Sequence, residues 1–118
     1  MGIPRHAITL YDTSGQRSET GEAIVDTGST FNLMPAPLLE RLGVVPRRTI
    51  RLRQANGQVV ESPLGSVECR VDEVRDYMPC HFGQPNDPPI INAVTLETFL
   101  LGLDPVGQRL VPVEGLQL

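Results

Sequence analysis

The residues best suited to chemistry in this chain are Asp26-Thr27-Gly28-Ser29-Thr30, which directly follow the apolar run at 23–25. The β-branched residues of that run favour a strand, and a strand that ends in an acid places the carboxylate at the edge of a core. The Thr-Gly step lets the backbone turn sharply there, because glycine adopts backbone angles that are closed to other residues. The pattern therefore indicates a carboxylate presented by the fold.

A second stretch of nearly the same composition, Asp12-Thr13-Ser14-Gly15, provides an internal comparison. It lies in the polar run 12–22, which we interpret as a turn between two strands with no apolar approach, because Asp, Ser and Gly satisfy or permit tight backbone geometry. The structural alternative for Asp26 is a strand-end turn or a helix N-cap. The short motif alone favours that alternative, so the rest of the chain decides.

A short helix and a long hairpin are predicted after the motif. Residues 35–42 form a short apolar turn or helix that Gly43 ends. Residues 49–53 alternate as a strand, Asn56-Gly57 favours a two-residue turn with positive φ at both positions, and 58–61 lead back.

The last third of the chain predicts a strand, a helix and a final strand. Residues 88–93 form an apolar strand that enters a helix, with Leu96, Phe99 and Leu100 at helical spacing and Gly102 at its end. A turn at 104–107 leads into the final strand, 109–113.

In this order, Asp26-Thr27-Gly28, the long hairpin and the late strand and helix resemble the retropepsin-like branch of the aspartic proteases, over roughly residues 7–113. The resemblance implies a small, closed or nearly closed acid-protease β-barrel with a flap hairpin that closes over bound peptide. In this family one aspartate comes from each of two related lobes and the pair activates water. A chain with one such triplet is therefore expected to act as a homodimer.

The same resemblance implies roles for individual residues. Asp26 would be catalytic, Thr27 would hold the two loops together across the two-fold axis, and Gly28 would offer its carbonyl to the substrate backbone. Ser29 would hydrogen-bond the carboxylate. The flap tip, Ala55-Asn56-Gly57, would cover the peptide. No metal or organic cofactor is implied.

One position departs from the family pattern. Asn92 stands where a glycine usually follows the late aliphatic pair. Asn tolerates left-handed backbone angles better than most residues and can cap the helix that follows, so the turn is expected to survive.

Length and composition predict one small soluble domain over residues 1–118. The chain is 40% hydrophobic and can bury a single core. Its eleven Gly and eleven Pro, with several short strand patterns, favour an all-β barrel with one or two short helices. No apolar run approaches the roughly 20 residues that span a bilayer, and no secretory signal is visible. We therefore expect a cytoplasmic protein without membrane association.

The net charge of −4 argues against a nucleic-acid partner. Four arginines nevertheless fall within 47–53. They form either a patch near the flap that favours acidic peptide or a solvated strand face, and the second interpretation is favoured.

The two cysteines have no motif around them. Cys69 lies in an alternating strand and Cys80 precedes His81, and a zinc site would have to recruit His6 from the far end of the chain. No metal site is predicted. Two unpaired thiols are favoured over a single disulfide, which stays open.

The sequence thus predicts an aspartic endopeptidase that cleaves peptide or protein substrates as a homodimer. Leu110, Val111 and Val113 of the final strand are either dimer contacts or barrel core. The alternative function is a noncatalytic peptide-binding or dimerisation module on the same barrel, supported by Asn92 and by a flap that is not strongly Gly-rich. An unrelated β domain ranks last, because it would make the flap and the late helix coincidences.

Overall fold

A computed structural model describes residues 4–107 and 109–117 of the protein. These residues form nine strands and two helices. The strands are β1 (Arg5–Tyr11), β2 (Ser18–Val25), β3 (Asn32–Pro35), β4 (Arg48–Arg53), β5 (Val59–Val71), β6 (Val74–Gly83), β7 (Ile90–Ile91), β8 (Leu101–Asp104) and β9 (Arg109–Pro112). The helices are α1 (Ala36–Arg41) and α2 (Ala93–Thr98).

Six of the strands close into a ring. The main sheet has the order β1-β2-β7-β3-β6-β5-β4, and β1 also pairs with β5. Strand β5 is 13 residues long, so its first half pairs with β4 and its second half reaches β1 through Thr9↔Arg70 and Leu10↔Cys69. Strand β4 therefore lies outside the ring. The predicted nearly closed β-barrel with two short helices is confirmed.

The core fills this ring with side chains from nearly every element. Its largest fully buried side chains come from α1, from the residue after α2 and from four strands. They include Phe99, Met34, Leu39, Met78, Ile91 and Val67. Burying one such side chain stabilises the fold by about 1.5–3 kcal/mol. The strands that carry the candidate site are thus held in place by their packing against this continuous core.

Both cysteines are free thiols inside this core. Burial raises the pKa of Cys69 to about 12 and also raises the pKa of the Cys80 thiol. Neither thiol is therefore available as a thiolate nucleophile in the folded protein.

The first helix follows its prediction and the second departs from it. Helix α1 has a proline in its first turn, and Gly43 follows it at φ +79. Helix α2 ends at Thr98, and the chain leaves it through Leu100 at φ 56. The expected helix end at Gly102 is therefore wrong. Burial of Leu101 in the core draws the chain into a strand instead.

Strand β8, which contains Gly102, was not predicted. It pairs with β9 in a separate two-stranded sheet around the predicted turn at 104–107. Leu110 of β9 is buried in the core, whereas Val113 just beyond it is exposed. Both helices have six residues, so no helix in the described part of the chain could cross a bilayer.

Candidate active site

Asp26 lies where β2 leaves the ring. Ala23 and Val25 face the core, and Asp26 is the first residue after the strand. Its backbone N–H donates to the carbonyl of Ile91 at 3.0 Å, which ties the end of β2 to the end of β7. The half-buried carboxylate is thus delivered to the rim of the barrel by a buried strand.

Two donors from the following turn orient the Asp26 carboxylate. The backbone N–H of Gly28 donates to Oδ1 at 3.0 Å, and the Ser29 hydroxyl donates to Oδ2 at 3.0 Å. A carboxylate has about four lone-pair sites, so both oxygens can accept further hydrogen bonds from water or another group. Thr27 and Gly28 are exposed at the outer side of the turn.

A buried network of two asparagines and a threonine lies beneath this turn. Asn32 Nδ2 donates to the Pro79 carbonyl at 2.8 Å and to the Thr95 hydroxyl at 2.6 Å, and Asn32 Oδ1 accepts from the backbone N–H of Asn92 at 2.9 Å. Asn92 Nδ2 donates to the Thr30 carbonyl at 2.7 Å. These side chains have their polar atoms paired, as buried polar groups require.

Asn92 also caps α2, as predicted. Its side-chain oxygen accepts from the Thr95 N–H at 2.9 Å, with φ −97 and ψ 174. The backbone is extended there, so the left-handed tolerance that we invoked for Asn92 is not used. Because Ile91 binds Asp26 and Asn92 binds Thr30, the segment at 91–92 holds the active-site turn at both ends.

The hairpin of β4 and β5 extends beside this turn, but its tip differs from the prediction. The Gly57 N–H donates to the Gln54 carbonyl at 2.9 Å, so Ala55 and Asn56 are the central residues of the turn. Within the tip, at residues 54–58, only Gly57 has positive φ, at +86. The tip is therefore a three-residue loop, a turn followed by a left-handed glycine, and the predicted two-residue Asn56-Gly57 turn is wrong.

A cleft of about 790 Å³ lies between the hairpin and the active-site turn. Of the predicted site residues, Gly28, Ser29 and Ala55 line it. Asp26, Thr27, Asn56 and Gly57 are not among its lining residues; Asp26 is half-buried and the other three are exposed. The structure therefore brings part of the active-site turn and part of the hairpin tip together in one cleft, and the Asp26 carboxylate adjoins it through its hydrogen bond from Ser29.

Sequence reasoning missed polar residues of the cleft, namely Ser62, His81 and Asp87. From the sequence, His81 was considered only as the residue that follows Cys80. The alternation of β6 was the usable signal: if Cys80 faces the core, the next side chain points to the other face of the strand. No local pattern indicates that Ser62 and Asp87 come close to it.

The arginine cluster divides between two places. Arg51 and Arg53 line the cleft, whereas Arg47 and Arg48 line a separate surface depression. All four are exposed, as the solvated-strand interpretation requires.

Comparisons with known proteins agree with this geometry. The family model described as "Aspartyl protease" matches residues 13–104, which is most of the chain. The chain belongs to this aspartyl protease family. A search of curated proteins found no match.

Two viral enzymes are similar to this aspartyl protease in structure. The solution structure of simian foamy virus (mac) protease matches with a TM-score of 0.57 at 15% identity, over 78% of this chain and 90% of the viral one. EIAV protease, in complex with the inhibitor HBY-793, matches with a TM-score of 0.57 at 16% identity, over 93% of each chain. At these identities the likeness shows the fold, which is that of the retroviral proteases.

Asp12, the internal comparison for Asp26, lies in a structural turn of this aspartyl protease, as predicted. Its Oδ1 accepts from the Ser14 hydroxyl at 2.7 Å, and its Oδ2 lies 3.0 Å from Arg17 Nε. These hydrogen bonds, that of Ser14 first, hold the pKa of Asp12 well below its ordinary value. One premise was wrong: Asp12 does have an apolar approach, because Leu10 and Tyr11 of β1 are buried.

Proposed function

We propose that this aspartyl protease is an endopeptidase that cleaves peptide or protein substrates as a symmetric homodimer, with the two Asp26 carboxylates as its catalytic pair. The observation that carries the proposal is the Asp26 carboxylate, held at the rim of the barrel by two residues that line the cleft. Gly28 and Ser29 supply one hydrogen bond to each of its oxygens. Ile91 and Asn92 hold the two ends of the active-site turn through hydrogen bonds to Asp26 and Thr30.

The chemistry explains why two copies are needed. One carboxylate must be ionised to take a proton from water, while a second, protonated one polarises the scissile carbonyl. Two like charges in close contact separate their titrations, so the pair shares one proton. A single chain offers one Asp-Thr-Gly triplet, and an isologous interface would set Asp26 opposite its own copy.

The outer surface of the chain suits such an interface. Thr27 and Gly28 are exposed on the far side of the turn from the core. Beyond α2, the exposed apolar residues Leu100, Val113 and Leu116 give an apolar surface that a second copy can bury. Leu100 and Val113 are joined by a backbone hydrogen bond of 2.9 Å, so they lie side by side.

The position of the β4–β5 hairpin is a reason to propose a peptide as the substrate. The hairpin extends from the ring as the outermost part of the sheet and forms one wall of the cleft. An extended peptide between this wall and the active-site turn would present a backbone carbonyl to the carboxylates.

The direct test is Asp26→Asn. The change is nearly isosteric but removes the shared proton and the general base, so cleavage of a fluorogenic peptide library is expected to fall to background. Secondary structure by circular dichroism and association by sedimentation are expected to stay as in the wild type.

Asp12→Asn is the matched control, because it makes the same chemical change at the other Asp-Thr pair. The amide oxygen of the new side chain can accept the three hydrogen bonds that Oδ1 accepts, whereas the bond from Arg17 Nε to Oδ2 is lost. Because Asp12 does not line the cleft, cleavage is expected to continue. Cleavage retained by Asp26→Asn would reject the proposal. Peptide binding by a wild type that never cleaves would favour the noncatalytic module instead.

A further inference from the structure

His81 is the one imidazole at the candidate site, since the other histidine of the chain, His6, is bound to Asp72 at 2.8 Å on the far strand β1. It lies on β6, in register with Leu33 of β3 and Leu64 of β5. Its neighbour Cys80 is fully buried, and His81 is half-buried and lines the cleft. The imidazole is therefore set among apolar side chains in the wall where a peptide would lie.

A buried serine determines which ring nitrogen faces the cleft. The Ser62 hydroxyl lies 3.1 Å from Nδ1 of His81 and donates to the carbonyl of Phe82 at 3.2 Å. A hydroxyl has a single proton, so forming both bonds requires that Nδ1 donates to Ser62. The neutral imidazole then carries its proton on Nδ1 and a lone pair on Nε2.

The Nε2 atom is left for a ligand. Within residues 4–107 and 109–117 it has no hydrogen-bond partner, and no buried side-chain nitrogen or oxygen in that part of the chain lacks one. Nε2 must therefore be accessible to solvent, and the solvent that His81 meets is in the cleft. It accepts a hydrogen bond when the ring is neutral and donates one when the ring is protonated.

Charged groups from the loop before β7 and from the hairpin share the cleft with His81. Asp87 comes from the loop before β7, and its Oδ2 already accepts from the Gln84 N–H at 2.8 Å. Glu61 and the two cleft arginines come from the hairpin, where Arg51 is in register with Glu61. Burial lowers the pKa of His81 and Asp87 opposes that shift. Histidine is the one residue type in this cleft whose ordinary pKa lies near neutral pH.

We propose that His81, oriented by Ser62, forms a polar specificity subsite that selects a substrate side chain bearing a carboxylate when the imidazole is protonated. The inference rests on the proposed function only in taking the cleft as the peptide site. The charged ring donates from Nε2 to the carboxylate, which makes a charge-assisted hydrogen bond. By linkage the bound carboxylate raises the imidazole pKa, so a Glu-containing peptide gains affinity as pH falls through the imidazole titration.

The experiment measures binding, so that it does not depend on cleavage. Fluorescent octapeptides of one apolar sequence carry Glu or the isosteric Gln at one position at a time, and their affinity for Asp26→Asn protein is measured by anisotropy. At about pH 5, chosen well below the ordinary imidazole value because burial lowers the pKa of His81, the best Glu peptide is expected to bind about tenfold tighter than its Gln partner. At about pH 7.5 the advantage is expected to be mostly lost.

Two variants in the Asp26→Asn background distinguish the contribution of His81 to the Glu preference from that of the arginines. His81→Gln keeps a polar side chain but does not titrate, so the Glu preference is expected to become independent of pH. His6→Gln is the matched control, and it is expected to retain the pH-dependent preference. In that His6→Gln protein the single remaining imidazole can be titrated by NMR, and its pKa is expected to rise with the Glu peptide and to stay unchanged with the Gln peptide.

A Glu preference that does not change with pH, or that persists with its pH dependence in His81→Gln, overturns the subsite. Failure of every peptide to bind, or an imidazole pKa that ignores the Glu peptide, overturns it as well. Wild-type cleavage is followed in parallel. Cleavage without a pH-dependent Glu preference rejects the subsite and leaves the endopeptidase standing, whereas the preference without cleavage rejects the endopeptidase alone.

Discussion

At the scale of single residues, Asn92 holds the active-site turn through its side chain and its backbone. Its amide donates to Thr30 and accepts from Thr95, while its backbone N–H binds Asn32. With 3% of its surface exposed, Asn92 has no water to replace those partners. The asparagine therefore links the active-site turn to the first turn of α2.

This linkage makes a prediction that runs against the family pattern. Asn92→Gly, which introduces the usual residue, is expected to lower the free energy of unfolding by about 1–3 kcal/mol, from the lost hydrogen bonds, the lost cap and the freer unfolded backbone. The measurement is urea unfolding, with a lower midpoint and an unchanged slope.

Two controls identify the interaction responsible. Asn92→Asp keeps the acceptor that caps α2 but loses the donor to Thr30, so it is also expected to destabilise the protein. Asn86→Gly in the exposed loop before β7 is expected to change stability little. A stability of Asn92→Gly equal to the wild type would show that the network contributes nothing.

At the scale of elements, the β4–β5 hairpin depends on one backbone angle. Gly57 has φ +86, and a Cβ built on it would meet nothing within 4 Å. The only obstacle to a side chain there is the left-handed backbone itself, which costs a residue other than glycine about 1–2 kcal/mol. Because the tip is exposed, the strain is expected to loosen the tip and to leave the ring intact.

Gly57→Val is therefore expected to lower kcat/KM for peptide cleavage several-fold, with little change in Tm. Gly57→Asn is the matched comparison, because asparagine tolerates left-handed angles, and it is expected to retain most of the wild-type kcat/KM. Equal kcat/KM values for the two variants would contradict a covering role for the hairpin.

At the scale of the whole molecule, the ring closes around one core and carries the Asp26 carboxylate at its rim. Asp12 and Asp26 follow the ends of two antiparallel neighbours, β1 and β2, so the fold keeps them at opposite ends of the barrel. Asp12 therefore cannot be the second carboxylate beside Asp26, which the proposed homodimer supplies from the other chain.

Mixing experiments test that requirement. When a fixed amount of wild type receives an excess of Asp26→Asn protein, peptide cleavage is expected to fall, because mixed dimers contain a single catalytic carboxylate. Specific activity of the wild type alone is expected to rise with protein concentration and to level off once dimers dominate. A rate per wild-type chain that ignores both the added variant and the dilution would rule out the shared site.

The sequence by itself determined the features that depend on neighbouring residues. A β-branched strand followed by Thr-Gly predicted the presented Asp26, the prolines and Gly43 predicted α1, and Asn92 was predicted as the cap of α2. Each depends on the backbone preference of a residue or on a hydrogen bond between residues a few positions apart, so a local reading of the chain suffices.

Only the tertiary structure decided the features that depend on distant residues. Burial of Leu101 made β8 a strand where the end of a longer helix was expected, and β8 pairs with the predicted final strand β9. Strand β1 met β5 to close the ring. Ser62 and His81 lie 19 positions apart and meet only because β5 and β6 pair. The physical reason is that such contacts are selected by the packing of the whole core, which no local preference encodes.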